Sequence, residues 1–201
     1  MNSIFDNFGI GTLGRPTLPK KRHVFISYHH GGDQRYYDQL SAGIENEFVP
    51  IRDNSLDRSV DSDNVDYVMQ RIRDQNISGT SCTIVLCGAE TGLRKYVDWE
   101  IKATLDKQHG LLGVALPTCR TSYDGKYLVP DRLHDNLVSR FALFINWNDI
   151  FPPQTIGHIL GSTLNQSTGA LLKQYIDKAA LQSSYLISNN REKMKRNGVL
   201  R

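Results

Sequence analysis

The chain has 201 residues, 39% of them hydrophobic and 22% charged, an ordinary balance for one globular domain with appendages. Its net charge is only +3, and the basic excess sits at the ends, in Lys20, Lys21 and Arg22 and in Arg191, Lys193, Lys195, Arg196 and Arg201, so a nucleic-acid-binding face within the fold is not indicated. Residues 1–20 lack the apolar core of a signal peptide, and no run approaches the roughly 18 apolar residues of a membrane span, which predicts a cytoplasmic protein that does not enter the membrane.

The first segment carries Gly9-Ile10-Gly11-Thr12-Leu13-Gly14, which satisfies the GxGxxG spacing of a dinucleotide-binding loop. That loop needs a strand before it and a helix N-terminus after it; MNSIFDNF is a poor strand, and Arg15-Pro16 with Pro19 breaks a following helix. Residues 1–20 are therefore read as a flexible arm. The fold proper begins at residue 21. His23 to His29 (HVFISYH) predicts a strand, Gly31-Gly32 a turn, and Asp33 the cap of a helix in which Tyr36, Tyr37, Leu40, Ile44 and Phe48 follow helical spacing.

Val49 to Asp63 is polar, with room for a short second strand around Val49 to Arg52, and long enough to be a functional loop or lid. Val65, Val68, Met69 and Ile72 predict a second helix. Cys82 to Cys87 (CTIVLC) is short, continuously apolar and bounded by Thr/Ser and Gly88, as expected of a strand buried on both faces of a parallel sheet. Cys82 and Cys87 are five apart and fall on opposite faces. With Cys119 they form no CxxC pair, so neither zinc nor a disulfide framework is indicated.

Thr91 is the expected N-cap of the next helix, whose stripe is Leu93, Val97, Ile101, Thr104 and Leu105, with Gly110 as its stop. Glu100 lies about 60° from the centre of that stripe, with Tyr96 one turn before it, which predicts a border position, neither core nor fully solvated. Leu111 to Leu116 (LLGVAL) and Phe141 to Trp147 (FALFINW) are two further strand candidates, separated by an irregular polar segment.

Strands alternating with helices predict an α/β fold, a doubly wound, flavodoxin-like parallel sheet of about five strands. Ligands then belong at the carboxyl ends of the strands. Those ends carry Ser27, Tyr28, His29 and His30 after the first strand and Cys87 and Gly88 after the central one, with Asp53 in the long loop. Adjacent histidines diverge in a strand and no third ligand stands at recognisable spacing, so no metal site is expected.

VFISYHH followed by Asp33, then CTIVLCGAET and YVDWEI, resembles the TIR-like domain of the Thoeris bacterial anti-phage system, a branch of the Toll/interleukin-1 receptor superfamily. The resemblance covers roughly Lys21 to Trp147. Tyr96 stands where that family commonly has Trp, and Trp99 is adjacent to Glu100. It implies an NAD glycohydrolase or ADP-ribosyl cyclase: cleavage of the nicotinamide–ribose bond of NAD, with cyclisation of the ADP-ribose remainder into a signal that activates an effector in antiviral defence. NAD is then a substrate and no cofactor is expected. By the same resemblance Glu100 is catalytic, and Ser27, Tyr28, His29, His30, Asp53, Cys87, Gly88 and Tyr96 contact the substrate. The alternative is a non-enzymatic TIR-type adaptor acting by self-association, and a homo-oligomer is compatible with both readings. A receiver-like or flavin-binding module fits less well, because the strand ends carry neither an acidic cluster nor a hydroxyl-rich phosphate loop.

Beyond the domain at 21–150, Pro152-Pro153 introduces an extension at 151–187, in which Ile156, Ile159, Leu160 and Leu164, then Leu171, Leu172, Tyr175, Ile176 and Ala179, predict two helices. The basic tail at 188–201 is polar enough to be disordered alone or to order on a partner.

Overall fold

The structure, a computed structural model, describes residues 21–51, 65–152, 161–182, 185–194 and 196. In chain order the elements are β1 (Arg22–Ser27), α1 (His30–Ile44), β2 (Phe48–Ile51) and α2 (Val65–Arg71), which runs on as a π-helical turn, Ile72–Ile77. Then come β3 (Thr80–Cys87), a 3₁₀ turn (Thr91–Leu93), α3 (Lys95–Asp106), β4 (Gly110–Ala115), α4 (Asp131–Val138), β5 (Leu143–Asn146), α5 (Trp147–Ile150) and α6 (Gly161–Ala180). The five strands pair in the order β2-β1-β3-β4-β5, all parallel. This is the flavodoxin-like order, whose topological switch lies between β1 and β3.

Both faces of the sheet are covered, which is why β3 and β4 read as continuous apolar runs. On one face Val24, Ile26, Cys82, Ile84, Leu86, Leu112 and Val114 pack against Tyr37, Leu40 and Ile44 of α1 and against Leu172, Ile176 and Ala179 of α6. Helices α1 and α6 approach closely because glycines meet there: a Cβ on Gly169 would lie 3.2 Å from the Gly43 carbonyl oxygen. On the other face Phe25 packs with Val68, Met69, Ile72, Ile77, Trp99 and Ala103, while Val85 and Cys87 pack with Val97, Ile101, Leu105, Leu133 and Phe141. Cys82 and Cys87 do fall on opposite faces.

Several local expectations are corrected. Gly31 and Gly32 are the first turn of α1 rather than a separate turn, and their missing side chains leave room for the His29 ring: a Cβ on Gly31 would lie 3.0 Å from it. Asp33 does not cap α1; it is a buried first-turn residue. Thr91 opens the 3₁₀ turn instead of capping α3, which starts at Lys95 with Arg94 at its N-cap position. Gln108, with φ of 56°, turns the chain after α3, while Gly110 already belongs to β4. The segment expected to be irregular contains α4, whose buried residues include Arg132 and Asn136, so its inward face is partly polar and carries little apolar periodicity. Asp53, most of the expected lid and Ile156, Ile159 and Leu160 lie outside the described residues.

Within the basic stretch, residues 188–194 order on the domain itself. Ser188 N donates to Asn136 Oδ1 at 3.0 Å while Asn136 Nδ2 donates to Ser188 O at 2.8 Å, and Arg191 binds Asp131 and Asp135 on the outer side of α4. Met194 N donates to Asp98 Oδ2 at 3.0 Å, and Trp99 Nε1 donates to Met194 O at 2.7 Å. Residues 188–194 thus form a strap across α3 and α4. The physical reason is a set of buried donors and acceptors on those helices that an extended backbone satisfies. Among the described residues, no helix is long and apolar enough to cross a membrane.

Candidate functional site

The C-terminal end of β1 and the N-terminal half of α3 meet beside the topological switch. Thr83 of β3 and Thr104 of α3 share a hydrogen bond at 2.6 Å, and Thr104 Oγ1 donates back to Glu100 O at 2.8 Å, so this line of α3 looks onto the sheet. Glu100 lies one turn before Thr104 on the same line, displaced toward the strand ends. It is 1% exposed, which corrects the border position expected from the stripe. The cause is that α3 is buried on two flanks: Val97, Ile101 and Leu105 pack on the β3–β4 side, while Trp99 and Ala103 pack against α2 and its π-helical turn.

Glu100 faces a crevice lined by Tyr28, His29, His30, Arg94, Tyr96 and Val97. Its cavity volume is about 10 Å³, the room of a single water molecule. That is far below the roughly 300 Å³ at which small-molecule pockets begin, so a nucleotide can enter only if one wall moves. Tyr28 is fixed by stacking on Tyr37 (ring centroids 4.6 Å apart), by contact with the His30 ring at 4.2 Å, and by donating to Gln34 Oε1 at 2.9 Å. Tyr96 meets Trp99 edge to face at 5.4 Å, and the Lys95 ammonium lies over both rings. The two walls are joined through Arg94, which pairs with Glu90, whose Oε2 lies 3.6 Å from His29 Nε2.

Tyr28, His29, His30, Tyr96 and Glu100 are therefore brought together. Ser27, Cys87 and Gly88 are near but do not line the crevice. Ser27 is fully buried at the end of β1, and its Oγ has no hydrogen-bond partner among the described residues. Cys87 is buried on the α3–α4 face, and burial pushes its thiol well above its ordinary range, so it is a packing residue rather than a nucleophile. Gly88 lies against the Asp33 carboxyl, with its N–H donating to Thr91 Oγ1 at 2.9 Å.

Two residues were missed from the sequence. Arg94 lines the crevice from the position before α3, and its Nε has no hydrogen-bond partner among the described residues. A cation two residues before Tyr96 was the available signal. Asp33, read as a cap, is 3% exposed and links three segments: Thr91 Oγ1 lies 3.2 Å from its Oδ2, and Thr118 Oγ1 donates to its Oδ1 at 3.5 Å. Loss of hydration on burial raises its carboxyl above the ordinary range, against the opposing pull of Thr91, His29, Thr118 and Arg35.

Residues 25–121 match the family model described as the TIR-like domain of Thoeris protein ThsB. No curated protein matches the chain. The matched segment runs from Phe25 in β1 to Thr121 beyond β4 and includes every residue that lines the crevice. The parallel sheet in its 2-1-3-4-5 order and the Glu100 helix beside the switch point agree with that match, and residues 25–121 are similar to the TIR-like domain of the Thoeris anti-phage defence system.

Proposed function

We propose that the crevice takes the nicotinamide-riboside end of NAD and that Glu100 promotes cleavage of the nicotinamide–ribose bond. The observation that carries this reading is the convergence of the Glu100 carboxyl with Tyr28, His29, His30, Arg94 and Tyr96 in one crevice at the carboxyl ends of the strands. Nicotinamide is attached as a cationic pyridinium and departs neutral, taking the electron pair of the broken bond, so no strong general acid is required. Positive charge then develops on the ribose. A carboxylate beside it stabilises that charge and accepts hydrogen bonds from the ribose hydroxyls, as in glycoside hydrolysis. The aromatic rings of Tyr28 and Tyr96 suit the flat nicotinamide, and Arg94 suits a phosphate or a ribose oxygen.

The fate of the ribosyl cation depends on what reaches it. Water gives linear ADP-ribose and releases one proton. Where water is excluded, a nucleophilic atom of the same molecule closes the ring, giving a cyclic nucleotide that diffuses to a separate effector.

The adaptor reading draws on the near-complete burial of Glu100, which is also what a structural glutamate would show. The two readings part on one experiment. Purified protein is incubated with NAD, alone and with lysate of phage-infected cells, and the products are resolved by chromatography and mass spectrometry. Free nicotinamide with a cyclic product is expected. Linear ADP-ribose would keep the enzyme and reject the cyclase, and intact NAD under both conditions would leave the adaptor.

A further inference from the structure

The Thr91 hydroxyl poses a question of hydrogen counting. It carries one hydrogen and two acceptor sites. Three polar partners surround its Oγ1: Gly88 N at 2.9 Å, Leu86 O at 3.0 Å and Asp33 Oδ2 at 3.2 Å. The Gly88 amide can only donate, and the Leu86 carbonyl can only accept. An ionised Asp33 would also only accept, so two acceptors would contend for one hydrogen. A neutral Asp33 removes the conflict: its O–H donates to Thr91 Oγ1, Thr91 donates to Leu86 O, and the Gly88 amide fills the remaining acceptor site. Oδ1 then accepts from Thr118, which identifies Oδ2 as the protonated oxygen.

Gly88 gives an independent sign that the carboxyl is held in place. A Cβ there would lie 2.3 Å from both Asp33 oxygens, so this packing exists only because residue 88 has no side chain. The tie joins the first turn of α1, which begins at His30 directly after His29, to the turn that leads through Arg94 into the Glu100 helix. These are the two walls of the crevice.

We infer that Asp33 is a positioning residue for the crevice: as the neutral acid it donates to Thr91 Oγ1 and holds the His29 wall in register with the start of the Glu100 helix. Charged and titratable groups face it from each neighbouring segment: His29 before α1, Arg35 on α1, Cys87 on β3 and Cys119 after β4. Burial raises the carboxyl from 3.8, so the tie is complete at acid pH and is lost as pH rises through the folded value. Its effect on turnover rests on the NAD-cleavage reading; its effect on the walls does not.

The experiment compares wild type, Asp33→Asn, Asp33→Ala and Glu100→Gln. The Asn amide replaces the O–H as donor and cannot ionise. With ¹³C-labelled aspartate, the Asp33 carboxyl resonance, assigned by its loss in Asp33→Asn, is followed against pH together with exchange of the Gly88 and Arg94 amides. Expected are a neutral carboxyl at acid pH, amide protection that falls as it ionises, and protection in Asp33→Asn that does not follow that titration. In NAD turnover, Asp33→Ala should lose roughly 10- to 100-fold in kcat with little change in KM, as for a misplaced catalytic wall, while Asp33→Asn restores kcat and flattens the pH profile. An ionised carboxyl throughout the folded range, or protection in Asp33→Asn no better than in Asp33→Ala, overturns the inference. Wild-type protein inert toward NAD overturns the enzymatic reading instead, since the carboxyl and amide measurements stand without turnover.

Discussion

Arg132 grips Asp98 with two parallel hydrogen bonds, Nε to Oδ1 at 2.8 Å and Nη2 to Oδ2 at 3.3 Å, and the two side chains are 0% and 8% exposed. Nη1 donates to Asn189 Oδ1, and Nη2 also reaches the carbonyls of Arg191 and Glu192, so an ion pair between α3 and α4 is completed by the strap. Asp98 stands two residues before Glu100 on the same helix.

Removing one partner of a buried pair leaves the other charged and unsolvated. Arg132→Met should cost about 3–5 kcal/mol of stability, read from the denaturant midpoint. The double variant Arg132→Met, Asp98→Leu should recover part of that loss, because no charge is then left buried.

Trp99 anchors the far end of the strap through a single donor. Trp99→Phe keeps the ring in its apolar surroundings and deletes the bond to Met194 O, so a loss of about 0.5–1.5 kcal/mol is expected. Hydrogen exchange should quicken around Met194 well before it does in β3.

Glu100→Gln replaces the carboxyl of the crevice by an amide while preserving the shape of the side chain. The variant should keep the thermal midpoint of the parent and lose NAD consumption. A folded variant with full turnover would remove Glu100 from the chemistry.

Gly88→Ala sets a methyl against the Asp33 carboxyl, and nearby backbone must shift to admit it. The expected cost is about 1–3 kcal/mol, the range for overpacking. Combined with Asp33→Ala, which vacates the space, the two losses should sum to less than their separate values.

The outer hold of the strap should weaken in acid. The hydrogen bond from Arg191 holds the Asp135 carboxyl below its usual range, despite partial burial. A lowered folded value contributes stability above the unfolded value of 3.8 and loses it as pH falls through the folded one. Exchange of amides in residues 188–194 should therefore quicken on acidification, and Asp135→Asn should quicken it at neutral pH and flatten the dependence.

The strands were legible because parallel strands buried on both faces are unbroken apolar runs, as CTIVLC and LLGVAL are. The Glu100 helix was legible from Val97, Ile101 and Leu105. The burial of Glu100 was not, because it depends on α2 covering the other flank of α3, a contact between distant parts of the chain. Helix α4 escaped notice because Arg132 and Asn136 turn inward, and polar residues that look solvated in a sequence become interior once a strap supplies their partners. Arg94 and Asp33 escaped for a related reason: local spacing describes what a residue does for its own helix, whereas both act across the crevice.

The strap also orders events in time. Glu192, whose carbonyl completes the Arg132 shell, is synthesised 60 residues after Arg132, and Met194 comes 95 residues after Trp99. While a ribosome is still making those residues, the sheet can assemble but the helix carrying Glu100 stays unfastened on its outer side. A nascent or prematurely ended chain therefore holds every crevice residue without the clasp that steadies their helix, and the crevice reaches its finished shape only after those residues emerge.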